Sequence, residues 1–241
     1  MNKKTVFGPI HSRRLGRSLG INLLPFKTCS LDCVYCECGP TTNLTTTRQE
    51  FVPLEQVCRE LDQVFDAGTP FDYITFSGLG EPTLYSRIGE IVRHAKARRP
   101  EAKICLLTNA TLLASAGDEL DGLDLIVPSL DGSCEEEFRT VNRPAPGLTL
   151  EKLVGDIADF RKKHPQIAMW LEVFIVPGVN DSDPSIERFC SLIARIAPDK
   201  VQINSLDRKG AVDWIRVPPA ERLQEIRSVF GRICPAEIVH A

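Results

Sequence analysis

Three cysteines stand at Cys29, Cys33 and Cys36, a Cys-x3-Cys-x2-Cys spacing that directly follows the apolar run from Ile21 to Pro25. Thiolates are the usual ligands of iron–sulfur clusters. Three of them hold three corners of a four-iron cube and leave the last iron open to a substrate or cofactor. Two other readings use the same residues. A structural zinc site shows two spaced Cys/His pairs, and no second pair stands at a regular spacing here. A disulfide cluster needs an oxidising compartment, and nothing in the sequence points to one.

With Tyr35 just before the last cysteine, the triad resembles the signature of the radical S-adenosylmethionine (SAM) superfamily. The stretches Phe7 to Gly16, Ser18 to Asn22 and Cys33 to Gly39 resemble those of short radical SAM proteins related to the wyosine-type tRNA-modifying synthases. The resemblance covers nearly the whole chain. It implies a [4Fe-4S] cluster on Cys29, Cys33 and Cys36 whose open iron chelates the amino and carboxylate groups of SAM. It further implies reductive cleavage of SAM to methionine and a 5′-deoxyadenosyl radical that takes hydrogen from a substrate. The implied electron donor is a one-electron reductase such as flavodoxin or ferredoxin. Two substrate classes stay open: a tRNA nucleoside, or a protein or small molecule, including a glycyl-radical partner to be activated. From a different class comes a non-catalytic Fe–S or zinc-binding protein.

Further candidates sit where predicted strands end. Gly78-Leu79-Gly80-Glu81-Pro82 resembles the family's Gly-Gly-Glu segment, with Leu79 between the glycines. Gly78, Gly80 and Glu81 are thereby candidates for SAM binding, the glycines because bare backbone approaches a ligand closely; the alternative is a turn before a helix. Asn109, Ser129 and Asp131 offer small polar groups for the carboxylate or ribose of SAM, and they also favour ordinary turns and caps. Glu172 lies among Leu171, Val173, Phe174 and Ile175. A carboxylate in a buried strand needs a partner, for which a ribose hydroxyl or an Arg or Lys would serve; strand alternation would otherwise turn it outward. Asn204 is a similar candidate. Tyr35 suits the adenine face, a hydrogen bond, or support of the loop. Arg13, Arg14 and Arg143 are candidates for an anionic substrate at the open flank of the fold, against the reading of a solvated face. Cys38 reads as a bystander and Cys58 and Cys105 as core. Cys134 and Cys234 are isolated, so no auxiliary cluster is expected, and the four dispersed histidines suggest no zinc site.

The elements that must position these groups alternate. A helix opens at Pro53, with Leu54, Val57, Cys58, Leu61, Val64 and Phe65 on one face. Strand 73–76 precedes a helix with Ile88, Ile91, Val92 and Ala95 inward. Strand 103–107, a short helix over 112–120 and strand 123–128 follow. Residues 133–147 read as a polar connection. Thr149 caps a helix, and strand 168–177 leads to a helix begun by Asp183 and Pro184. Strand 200–205 and a last helix from Pro218 or Pro219 complete the series. Short apolar strands alternating with helices about six times predict a parallel sheet wrapped by helices, a partial (β/α)6 TIM-like barrel; the family resemblance implies the same fold. The expected organisation is one domain over 1–241, with an N-terminal arm at 1–15 and a C-terminal helix and tail at 205–241. The 241 residues are 43% hydrophobic with a formal charge of -3, which gives no basic surplus for a strongly electrostatic nucleic-acid binder. Nine cysteines without a signal peptide suggest a reducing cytoplasm, and no run approaches membrane-spanning length.

Overall fold

The computed structural model describes residues 4–239. Its main sheet has eight strands: β1 (Val6–Ser12), β2 (Gly16–Ile21), β5 (Tyr73–Phe76), β6 (Lys103–Thr108), β7 (Leu125–Pro128), β8 (Ala168–Phe174), β9 (Lys200–Asn204) and β10 (Ala236–Ile238), in that spatial order. From β2 to β10 every pairing is parallel, and β1 alone runs antiparallel, against β2. The helices α1 (Leu54–Asp66), α2 (Ile88–Arg98), α5 (Leu150–Lys163), α6 (Asp183–Ile196) and α7 (Ala220–Phe230) supply the crossovers, with a short α3 (Leu113–Ala116) after β6. This is the α/β partial barrel that the alternation predicts.

Strand alternation divides the sheet into two surfaces. Leu19, Ile21, Ile74, Phe76, Ile104, Leu106, Leu171, Val173, Val201 and Ile203 join the large core beneath the helices. The opposite side chains face the lumen, whose base is closed by Leu15, Cys105, Leu125 and Val127. Leu15 belongs to the turn between β1 and β2, so that hairpin plugs the barrel as well as extending its edge.

Several elements depart from expectation. The N-terminal arm is a paired strand from Val6 onward, because its backbone finds the free edge of β2. The tail adds β10 on the opposite edge. The polar connection at 133–147 contains α4 (Glu135–Asn142), where Phe138 and Val141, three apart, are fully buried and three glutamates occupy the first turn, favourable at the positive end of the helix dipole. On α1, Gln56 turns inward instead of Cys58, which is half-buried. The Gln56 side-chain amide donates to Glu60, whose other oxygen accepts the backbone N–H groups of Thr5 and Val6. Ser182, not Asp183, caps α6 by accepting from the Ser185 N–H; Thr149 caps α5 as expected.

Candidate cluster and cofactor site

Cys29 ends the two-residue strand β3 (Thr28–Cys29), which pairs with β4 (Asn43–Leu44). The loop that follows is pinned along its length. Asp32 N–H donates to the Asn142 carbonyl and Val34 N–H to that of Val141, so the end of α4 holds the loop from one side. On the other side the Val212 N–H donates to Val34, and Gly210 lies against Val34 and Tyr35 so closely that a side chain there would clash. Tyr35 packs its ring on Phe174, 3.8 Å between centroids, and donates its hydroxyl to Asp131 at 2.5 Å.

Two of the three sulfurs meet an amide donor. Asn109 Nδ2 lies 3.5 Å from Cys29 Sγ, and Asn142 Nδ2 lies 3.3 Å from Cys33 Sγ. Lys27, 3% exposed and two residues before Cys29, lies within electrostatic reach of all three sulfurs. As free thiols the three titrate apart. Burial pushes Cys29 up to about 11 and raises Cys33 well above the usual thiol range. Hydrogen bonding from Cys38, then from Lys27, holds Cys36 down at about 5. Burial works to lower Lys27, and the sulfurs beside it outweigh burial, so its pKa is raised.

The three thiols are not gathered at single-ion spacing, nor is any other group of three His, Cys, Asp or Glu side chains among the described residues. A four-iron cube takes a wider ligand set than one ion. Thiols met by amide donors and a cation are the surroundings that an anionic thiolate cluster needs, because hydrogen bonds to sulfur stabilise its charge. The donor set therefore fits the cube.

Beside Cys36 lies a cavity of about 430 Å³. The Cys loop contributes Tyr35 to Cys38, the hairpin Ile10 to Leu15, the lumen Ser18, Thr75 and Phe174, and the end of β9 Asn204 to Arg208. Its size is within the range of small-ligand sites. Cys38 is thus part of the cavity wall.

The predicted site residues divide. Tyr35, Asn204, Arg13 and Arg14 line the cavity; Gly78, Gly80, Glu81, Asn109, Ser129, Asp131, Glu172 and Arg143 do not. Glu81 is 2% exposed and spends its carboxylate on the protein. One oxygen accepts from Thr83 and from the Thr108 hydroxyl at 2.6 Å, the other from the Asn109 N–H at 2.7 Å. Burial raises its pKa against those hydrogen bonds. Asn109 is likewise used internally, on Cys29, Ser30 and Thr111. Asp131 accepts from Tyr35, Asn142 and the Phe174 N–H, and burial pushes it up to about 6. These three buttress the Cys loop. The close approach at Gly80 is made by the Thr28 carbonyl, not by a ligand; Gly78, at φ +132°, lies against Asn22. Ser129 bridges Glu172 across β7 and β8 and is half-buried.

The three candidate arginines each lie beside a carboxylate. Arg14 pairs with Glu172 at 2.5 Å, both side chains mostly buried, which supplies the partner that the strand carboxylate needs. Arg13 pairs with Asp207 at 2.7 Å, and Arg208 with Glu37 at 3.4 Å. The hairpin turn is thereby tied to β8 and to the segment after β9, across the side where the sheet does not close. Arg143 stands apart, ending α4 in a left-handed conformation with its guanidinium 3.8 Å from Asp32. Sequence reasoning missed Lys27, Asn142 and the Asp207–Arg208 segment. A charge between the apolar run and Cys29 was a usable signal for Lys27; Asn142 carried none.

Residues 23–190 match the model of the radical SAM superfamily. The chain belongs to that superfamily. This makes it a radical SAM enzyme, and the family implies a [4Fe-4S] cluster and SAM. Among the relatives, a UPF0026 protein of Methanocaldococcus jannaschii is 31% identical over 94% of this chain and 71% of its own length. A protein of Brachyspira hyodysenteriae named GTPase Obg is 32% identical over 99% of this chain, which spans only 35% of that relative. The fold is similar to a radical SAM methyltransferase from Sphaerobacter thermophilus (TM-score 0.69, 19% identity, 92% of this chain and 66% of that one). It is also similar to TYW1 with a lysine-pyruvate adduct bound (TM-score 0.66, 14% identity, 92% and 76%). Among the described residues no helix is long and apolar enough to cross a membrane.

Proposed function

We propose that Cys29, Cys33 and Cys36 ligate a [4Fe-4S] cluster and that SAM occupies the adjoining cavity. The observation that carries this reading is the set of three thiols, two met by amide donors and the third on the wall of a cavity of about 430 Å³. When bound, the cluster and SAM supply reductive C–S cleavage and a 5′-deoxyadenosyl radical for hydrogen abstraction. The chain's own residues hold and shelter that chemistry. Asn109 and Asn142 steady the thiolates. Asn204, Ser205 and the hydroxyls of Ser18 and Thr75 offer polar contacts along the cavity. Leu15 helps close the lumen's base and the Arg13–Asp207 and Arg14–Glu172 pairs its open side, limiting water. The whole chain acts as one catalytic unit, served by a one-electron reductase such as flavodoxin or ferredoxin.

The substrate is a small molecule, or a single group that enters alone. Each arginine on the cavity wall faces a carboxylate, so the mouth carries little free positive charge for a phosphate backbone. A tRNA nucleoside is the competing reading, drawn from the family resemblance. The test is anaerobic reconstitution, dithionite and SAM, with 5′-deoxyadenosine measured. A low-molecular-mass cell fraction should stimulate its formation and tRNA should not. A fully loaded protein that never forms it overturns the activity, and stimulation by tRNA alone overturns the substrate class.

A further inference from the structure

Asn142 is the last residue of α4, and it meets the Cys loop through both its backbone and its side chain. Its carbonyl accepts the Asp32 N–H at 2.9 Å. Its side-chain Nδ2 lies 3.3 Å from Cys33 Sγ and donates to Asp131 Oδ2 at 2.7 Å. An amide nitrogen carries two hydrogens, so one serves the carboxylate and the other the sulfur. Asp131 fixes which way the amide faces. Its Oδ2 also accepts the Tyr35 hydroxyl and its Oδ1 the Phe174 N–H, and a flipped Asn142 would set oxygen against oxygen. The arrangement leaves Asn142 Oδ1 buried with no hydrogen-bond donor among the described residues. An unpaired buried polar atom costs about 1–3 kcal/mol. A single donor would serve Asp131. The amide brings a second, directed at Cys33, together with the unpaired oxygen. Asn109 differs: its nitrogen is farther from its sulfur, at 3.5 Å, is shared with Ser30, and its Oδ1 is satisfied by the N–H and hydroxyl of Thr111.

We propose that Asn142 is a positioning residue of the cluster: it holds a hydrogen bond on the Cys33 sulfur and so raises the one-electron reduction potential. This rests on the cluster assignment proposed above. In taking one electron from an external one-electron reductant, the [4Fe-4S]2+ core becomes [4Fe-4S]+, with no bond made or broken and no proton moved. The cluster with its three thiolates thus gains one negative charge. A hydrogen bond to sulfur strengthens as that charge grows, so the donor stabilises the reduced state more than the oxidised one. At 2% exposure the amide is screened little by water. The sign separates this role from a merely structural one. Loss of the donor lowers the potential. Water let in by a loosened loop raises it, because solvent of high dielectric favours the more highly charged state.

The test uses whole chains reconstituted anaerobically: wild type, Asn142→Leu, which keeps the shape and removes both donors, and Asn142→Val, which is smaller and also has none. Iron and sulfide are counted, and the potential is read by dithionite titration followed by electron paramagnetic resonance. In Asn142→Leu the equilibrium constant for reduction should fall about tenfold, or about 59 mV for one electron. Where Asn142→Leu does not take up the cluster, Asn142→Val is read in its place, with the same fall expected. An unchanged or raised potential in the fully loaded variant overturns the inference and leaves the cluster assignment standing. Loss of iron from both variants, with wild type loaded, shows that Asn142 holds the loop together rather than tuning the cluster, and overturns it. A wild-type protein that binds no iron refutes the cluster assignment itself.

Discussion

The backbone carbonyl of Thr28 occupies the place where a side chain on Gly80 would begin. The two residues form an isolated parallel bridge, and the Glu81 N–H donates to the same carbonyl at 3.1 Å. The strand carrying Cys29 is therefore laid directly on the loop after β5. Glu81, one residue on, then reaches across to Thr108 and Asn109, and Asn109 reaches back to Cys29. A glycine that the sequence associates with cofactor binding thus acts first on the position of a cluster ligand.

Gly80→Ala should consequently lower both stability and iron content. The clash is with backbone, which cannot rotate away, and overpacking of this kind costs about 1–3 kcal/mol or more. Thermal denaturation and iron analysis measure it. A variant with wild-type melting temperature and full iron would contradict the packing argument.

Replacing Cys29, Cys33 or Cys36 by Ala should each reduce bound iron from about four per chain to a small fraction. Cys105→Ala, in the lumen base, should keep its iron and lose about 1 kcal/mol or more of stability through the cavity it leaves. Full iron in all three ligand variants would remove the assignment.

The two hairpin ion pairs should differ in worth. Arg13–Asp207 is half-exposed, and its loss should cost at most about 1 kcal/mol. Arg14 and Glu172 are about one-sixth exposed, so Arg14→Ala leaves a poorly hydrated carboxylate in the lumen and should cost about 2–4 kcal/mol. A double-mutant cycle by urea unfolding separates the pair from its surroundings. Coupling for Arg14–Glu172 no larger than for Arg13–Asp207 would show that burial is not what gives this pair its strength.

Asp131 sets a pH dependence whose sign follows from burial. Its carboxyl lies at about 6 in the folded chain and near 4 unfolded, so the folded state holds the proton more tightly. Its contribution to stability is present at low pH and lost as pH rises from about 4 through about 6. Asp131→Asn cannot titrate. The advantage of wild type over this variant should therefore be larger at pH 5.5 than at pH 7.5, measured as unfolding free energy. The same difference at both values would show that the carboxyl titrates below this range.

Local information carried the fold class and marked a candidate ligand set. Apolar residues at helical and strand spacing marked most of the alternating elements, because each period is written within a few residues of chain. The spacing of Cys29, Cys33 and Cys36 marked the cluster loop for the same reason. The short α4 escaped because Phe138 and Val141 are too few to make a period against their polar neighbours. What Glu81, Asn109, Asp131 and Arg14 do was decided by the tertiary structure alone. Each sits near a strand end or turn where an Asn, Asp, Glu or Arg could serve a ligand or the protein. The choice depends on sheet curvature and register, which bring Arg14 to Glu172 and Tyr35 to Asp131 from distant parts of the chain. Burial then makes those pairings necessary, since a charge taken from water must find its partner within the fold.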